Sequence, residues 1–264
     1  RLVNALNMRR GFELRVVDTS NVRGRGVRVP AAFEALRRRL RLETRECDVA
    51  TLHVATSGLH VMGPMMVSLA RRENVPLIIR KFGGTDFTRF DPIRRTLIVK
   101  ALRSCDMYLA ETRELIERAA AFGIEPAEWF PNCRPMPTLP DPPAHTRRKC
   151  RRFIYLGQLR RAKGIRELVK AGEELGERAV VDIYGLPGYD LDVSYFEDLS
   201  FVRYRGPLEP SDVAATLSRY DVLVLPSYME GYPGVIIEAY AAGLPVIATR
   251  LTSISEIVDD SCGI

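Results

Sequence analysis

Short Val/Ile/Leu-rich runs recur along this chain, each followed by a stretch whose apolar residues return at helical spacing. That alternation restricts the fold to packed β-α-β units around parallel sheets, an α/β architecture. The expected strands are Leu14–Asp18, Val49–Val54, Pro76–Arg80, Met107–Ala110, Phe153–Leu156, Val180–Tyr184, Phe201–Tyr204, Val222–Leu225 and Val246–Ala248. Several are unbroken apolar runs, as strands covered by helices on both faces require. Between them, Ile165, Leu168 and Val169 share one helix face, as do Val213, Leu217 and Tyr220. Ser211 and Asp212 stand where the second of these helices needs an N-cap.

The alternation stops once. Residues Pro135–Cys150 hold five prolines and a basic run without periodicity, which reads as a connection between domains. The expected organisation is a domain over residues 1–142, a linker at 143–150 and a second domain over 151–264. Both ends read as cut. The first residues look like a helix feeding a second strand, so an opening strand is expected to be missing. Ser261–Ile264 stop where a further strand would begin.

Charge and cysteine usage exclude several classes. The net charge is +6, carried by 34 Arg against 5 Lys. Guanidinium forks suit bidentate oxyanion binding, yet no basic stripe alternates with aromatics, so nucleic acid is not an expected partner. The five cysteines form no Cys-x-x-Cys pair, and His53, His60 and His145 lack zinc spacing. No metal site is expected, and a reducing, cytoplasmic setting fits. No apolar run reaches membrane-spanning length and no signal peptide is visible.

Two segments carry chemistry. After Phe153–Leu156 comes Gly157-Gln158-Leu159-Arg160-Arg161-Ala162-Lys163-Gly164, then a helix. A glycine directly after a strand allows a tight turn beneath a ligand. The next helix start offers unpaired N–H groups and positive dipole to an anion. Arg160, Arg161 and Lys163 add cations at the same rim, a setting for a diphosphate. Alternatively the turn is a basic surface loop.

Beyond Val222–Leu225 lies Glu230-Gly231-Tyr232-Pro233-Gly234-Val235, leading into a helix that carries Glu238. Ligands of such sheets bind outside the carboxyl ends of strands. Gly231 and Gly234 leave the backbone bare for sugar hydroxyls or phosphate. A carboxylate accepts two hydrogen bonds from vicinal hydroxyls, as in a ribose or hexose. The bland alternative makes Glu230 a capping acid and Glu238 a solvated helix residue. The apolar neighbours Ile236, Ile237, Ala239 and Ala241 argue for a specific partner to Glu238.

The Gly157–Gly164 turn, the Glu-x7-Glu pair Glu230/Glu238 with its Gly-rich filling, the trailing Ala-x-Gly-x-Pro-Val and the Ser253–Glu256 region together resemble the nucleotide-sugar domain of the retaining GT-B glycosyltransferases of family 4. The likeness covers nearly all of residues 151–264. The first half matches more weakly, through Pro131-Asn132 and its order of elements. The resemblance implies a GT-B fold, two Rossmann-like domains facing a cleft. It implies transfer of a sugar from a UDP- or GDP-sugar to a glycan or lipid-linked acceptor, with retention and without a bound cofactor or metal. Glu230 and Lys163 would act at the reacting sugar and diphosphate, and Glu238 on the ribose. The donor side would further include Gly157, Gln158, Arg160, Arg161, Gly185, Gly231, Tyr232, Pro233, Gly234 and Val235.

Two positions depart from the family. Gln158 stands where an Arg is usual, with Arg160 or Arg161 as candidate replacements. Phe82 stands where a His is frequent, within Lys81-Phe82-Gly83-Gly84-Thr85-Asp86; Lys81, Phe82, Gly83, Gly84 and Asp86 are the acceptor-side candidates. Asp190-Leu191-Asp192 repeats a metal motif of another glycosyltransferase fold, but three residues are a cheap match and a surface loop is expected. The helix Ala31–Arg45 sets Phe33, Leu36 and Leu40 against a crowd of arginines. It either packs on its own domain or lies peripherally on an anionic membrane. A GT-B epimerase or phosphorylase and a non-catalytic sugar-nucleotide-binding scaffold remain alternatives on sequence alone.

Overall fold

The computed structural model describes residues 11, 13–19, 28–83, 86–138 and 150–263. The expected opening helix and most of the 143–150 linker lie outside these. By contacts the chain forms two compact units. One comprises Arg1–Lys81, Phe90–Leu109 and Phe122–Ala127; the other comprises Phe82–Arg89, Ala110–Ala121 and Glu128–Ile264. The division therefore differs from a single cut near residue 143. Two earlier segments cluster with the C-terminal half; they bond to each other, and the second also bonds to Glu256. Gly83 N–H donates to Glu111 Oε2 at 3.0 Å, Arg118 pairs with Asp86, and Arg113 N–H donates to both oxygens of Glu256 at 2.9 Å.

The first sheet has the order β1-β2-β3-β4. Its strands are β1 (Ala50–Ala55), β2 (Leu77–Phe82), β3 (Met107–Ala110) and β4 (Ala127–Trp129), with helices α1 (Arg28–Arg45), α2 (Thr56–Glu73), α3 (Pro92–Leu102) and α4 (Arg113–Ala121) between and around them. The expected strand Leu14–Asp18 is not one: residues 13–19 carry no regular structure. None of residues 13–19 is buried, so its apolar residues have no packing to fix them in a sheet. The short β4, absent from the sequence reading, has one half-buried and two exposed residues and so lacks an apolar run.

Helix α1 turns Leu36, Leu40 and Thr44 inward, each at most 8% exposed. Arg37 and Arg38 pair with Glu34, and Arg41 with Glu73 at the end of α2. The apolar stripe that a membrane would take is thus already packed on the protein. Among the described residues no helix is long and apolar enough to cross a membrane.

The second sheet is parallel, with order β7-β6-β5-β8-β9. It comprises β5 (Arg152–Leu156), β6 (Val180–Tyr184), β7 (Val202–Tyr204), β8 (Val222–Leu225) and β9 (Val246–Ala248). Helices α5 (Ile165–Leu175), α6 (Val213–Leu217) and α7 (Gly234–Ala241) lie between them, and α8 (Thr252–Ser255) follows β9. Ile154, Ile165, Ile183, Leu223 and Ile236 are wholly buried, each worth about 1.5–3 kcal/mol in transfer terms. Asp212 occupies the N-cap of α6 but makes no capping side-chain bond; instead Ser211 Oγ bonds its carboxylate at 3.4 Å.

The strand order matters for function. The chain leaves β5 toward β6 and β8 toward β9, in opposite directions across the sheet. Between neighbours β5 and β8 lies the topological switch point, where parallel sheets of this type open a crevice.

Candidate functional site

Both chemistry-bearing turns emerge at that switch point. From β5 the chain runs through Gly157 and a 3-10 turn, Arg161–Lys163, into α5. Gly164, the residue that starts α5, has φ +69°. A Cβ there would stand 2.0 Å from the Pro226 carbonyl oxygen. Glycine therefore lets the β5 turn lie directly on the β8 turn, which Tyr228 N–H also ties to the Ala162 carbonyl at 3.0 Å. Gly185 plays the same part beside it: with φ +150°, its Cβ would meet the Gly157 oxygen at 1.7 Å. Gly185 thus shapes the turn beneath any ligand.

This packing brings Lys163 and Glu230 together, with Nζ donating to Oε1 at 2.7 Å. Ser227 Oγ donates to the same oxygen at 2.7 Å, and Ser253 Oγ to the Glu230 carbonyl at 3.1 Å. The Glu230 side chain is only 10% exposed and that of Lys163 26%. Beneath them, Tyr155 donates its hydroxyl to the Gln158 carbonyl at 3.0 Å. Burial, then the charge of Glu230, pushes that phenol up. Helices α5 and α7 both begin without a capping side chain, so their first N–H groups and positive dipole ends are available to an anion.

Glu238 lies within α7, and Arg134 Nε donates to its Oε1 at 2.7 Å. Asn132 Nδ2 donates to the Tyr232 carbonyl at 2.7 Å. Tyr232 is half-buried and its phenol is raised, by burial first and then by Glu256, against a lowering effect of Arg113. Gly231, Pro233, Gly234 and Val235 form the loop and first turn joining Glu230 to Glu238.

The arginine rim is less uniform than its sequence. Gln158 is exposed. Arg160 folds over the Tyr189 ring, 4.5 Å from its centroid, and bonds the Tyr189 hydroxyl. Arg161 is exposed, and its N–H faces Asp190 Oδ2 at 3.3 Å. Asp192 caps the short turn Val193–Phe196 through Ser194 N–H at 2.9 Å, which holds its carboxyl below the usual range. Asp190 thus bonds the Arg161 backbone and Asp192 its own turn. Among the described residues no cluster of His, Cys, Asp and Glu has a metal-binding arrangement.

The first-half candidates separate. Lys81 is wholly buried in β2, whereas Phe82 is 43% exposed. Gly83 is bound by Glu111, and Gly84 lies outside the described residues. Asp86 accepts from Thr88 N–H at 2.9 Å and from Arg118, so it organises its own loop. Arg134, Ser227 and Glu256 had no individual role in the sequence reading. Arg134 stood in the proline-rich exit, where no periodicity marks a side chain's direction. Ser227, two residues beyond β8, was the more findable.

Known proteins resemble this chain in sequence and in fold. Residues 150–264 match the family described as glycosyl transferases group 1. The D-inositol 3-phosphate glycosyltransferase of Arthrobacter sp. (strain FB24) is 30% identical over 126 residues, which cover 41% of this chain and 28% of that protein. The matched stretch therefore spans less than a third of that relative. Crystallised Anabaena Alr3699/HepE in complex with UDP superposes with a TM-score of 0.68 at 15% identity, covering 87% of this chain and 67% of that one. Sucrose-phosphate synthase from Thermosynechococcus elongatus gives 0.69 at 17% identity, covering 89% and 64%. The fold is GT-B, and residues 150–264 are similar to the glycosyl transferases group 1 family.

Proposed function

We propose that this chain is the greater part of a retaining glycosyltransferase that moves a sugar from a nucleoside-diphosphate sugar to a glycan or lipid-linked acceptor. In this reading residues 151–264 hold the donor and residues 1–142 serve the acceptor. One observation carries it: the Lys163–Glu230 pair sits at the β5/β8 switch point, beside the uncapped starts of α5 and α7. The family match and the relative that acts as an inositol-phosphate glycosyltransferase support the same reading. The UDP seen in the structural neighbour supports a nucleoside diphosphate as donor half.

Each group has a physical task. A leaving diphosphate gains negative charge as the glycosidic bond breaks, and preorganised donors aimed at that charge lower the barrier. Lys163 and the helix N–H groups are such donors. Glu230, already held by Ser227 and Lys163, accepts hydrogen bonds from sugar hydroxyls and fixes the ring. Glu238 receives ribose hydroxyls. No protein base is required, because the departing phosphate takes the acceptor proton.

The test is donor hydrolysis and donor-induced thermal stabilisation across a panel of UDP- and GDP-sugars. A binding donor at 100-fold its Kd adds about 2.7 kcal/mol to stability. Stabilisation by one nucleotide sugar, with turnover lost in Glu230→Gln, is the expected result. Absence of both stabilisation and turnover across the panel sinks the proposal.

A further inference from the structure

The segment around Asn132–Pro135 sends an arginine to the start of α7. Arg134 Nε donates to Glu238 Oε1 at 2.7 Å, and Nη1 to the Cys133 carbonyl at 2.9 Å. Nη2 has no hydrogen-bond partner among the described residues. The guanidinium rests against Gly234: a Cβ there would stand 1.7 Å from Nη2 and 2.4 Å from Cζ. Asn132, through the Tyr232 carbonyl, pins the same segment to the same loop. The Arg134 side chain is 25% exposed and that of Glu238 18%.

This is an unfavourable place for a lone cation. The N-terminal turn of a helix is the positive end of its dipole and prefers an anion, and α7 has no capping side chain to offset it. Glu238 supplies the missing charge. Of the other rim residues, Gln158 carries no charge, Arg160 is turned onto Tyr189, Lys163 is matched by Glu230, and Arg161 is exposed. A diphosphate arriving at the α7 start would meet one guanidinium already there, with an unused donor nitrogen.

We infer that Arg134 is a phosphate-binding residue of the donor site, held in store by Glu238 until a nucleoside diphosphate arrives. The diphosphate then takes the guanidinium, and the ribose hydroxyls take the released Glu238 carboxylate. The exchange replaces one charge-assisted contact by two and breaks no covalent bond. This inference rests on the donor-site reading above.

Binding of UDP, GDP, uridine and guanosine to the full chain tests it, by calorimetry on wild type, Arg134→Ala and Arg134→Lys. Loss of charge-assisted bonds in Arg134→Ala weakens the preferred diphosphate by about 10- to 100-fold. The matching nucleoside, which lacks phosphate, binds as well or better, and Arg134→Lys recovers part of the loss. Equal weakening of nucleoside and diphosphate overturns the inference, as does tighter binding of both, which would make Arg134 only a plug. If Arg134→Ala does not fold, Arg134→Gln and Arg134→Lys carry the same comparison. Wild type that binds neither diphosphate overturns the donor-site reading itself. Wild type that binds one, with the Arg134 variants unchanged, overturns this inference alone.

Discussion

Lys163 Nζ lies 2.7 Å from Glu230 Oε1, although the two residues come from turns that follow different strands. The pair is mostly shielded from solvent and shares its acceptor oxygen with Ser227. Removing one member leaves the other partly buried without its counter-charge. Lys163→Met is expected to lower donor turnover by about 10²–10³-fold, the usual loss for one transition-state donor. Ser227→Ala removes a single hydrogen bond to Glu230 and is expected to cost far less. Steady-state donor hydrolysis separates the two, and equal losses would contradict the assigned roles.

Glycine at position 164 is a packing requirement. Gly164→Ala forces a side chain into left-handed backbone and against the Pro226 carbonyl. The expected cost is roughly 2–5 kcal/mol. Gly206 also has positive φ, at +83°, but a Cβ there meets nothing within 4 Å. Gly206→Ala should cost only about 1–2 kcal/mol. Chemical denaturation midpoints of the two variants check the contrast; matching midpoints would show that the β5 and β8 turns do not touch as described.

Buried tyrosines predict an alkaline limit to stability. Tyr220 donates to the buried carboxylate of Asp182 at 2.7 Å and lies 3.0 Å, oxygen to oxygen, from Tyr184. Burial raises its phenol first, and the bonds to Tyr184 and Asp182 add to that. Tyr155 is raised by burial and then by Glu230. A group whose folded pKa is raised stabilises the fold fully below its unfolded value, here about 10. That contribution is lost as pH climbs above 10 toward the folded value, because the unfolded chain releases the proton first. Tyrosinate absorbance should therefore lag behind ordinary phenol titration until unfolding begins. Simultaneous titration of all ten tyrosines near pH 10, with native circular dichroism retained, would refute it.

Thiol reactivity should sort by burial. Cys105 is 7% exposed, and burial pushes its thiol up to about 11. Cys133 and Cys150 are exposed. Since the thiolate is the nucleophile, an aromatic disulfide reagent at neutral pH should label Cys133 and Cys150 quickly and Cys105 only on unfolding. Peptide mapping of the early product decides it.

Much of the fold was legible because strands covered on both faces are largely apolar runs. Met107–Ala110, Val180–Tyr184, Val222–Leu225 and Val246–Ala248 fall where their composition puts them. The reading failed where that signal is absent. Residues 13–19 have β-branched residues but no partner strand among the described residues, and β4 has a partner but no apolar run.

For the site, sequence determined the chemical inventory: a glycine after each of two strands, a lysine, two carboxylates and an aromatic. Those are local facts, fixed by residue type and spacing along one turn or helix. Which groups meet was decided only by the tertiary structure. Parallel pairing of β5 with β8 put Lys163 on Glu230, and the return of residues 132–134 put Arg134 on Glu238. Arg160, no less basic in sequence, was spent on Tyr189. Contacts between residues far apart in the chain depend on strand order and the direction in which each side chain leaves the backbone, and neither is encoded in a single stretch of residues.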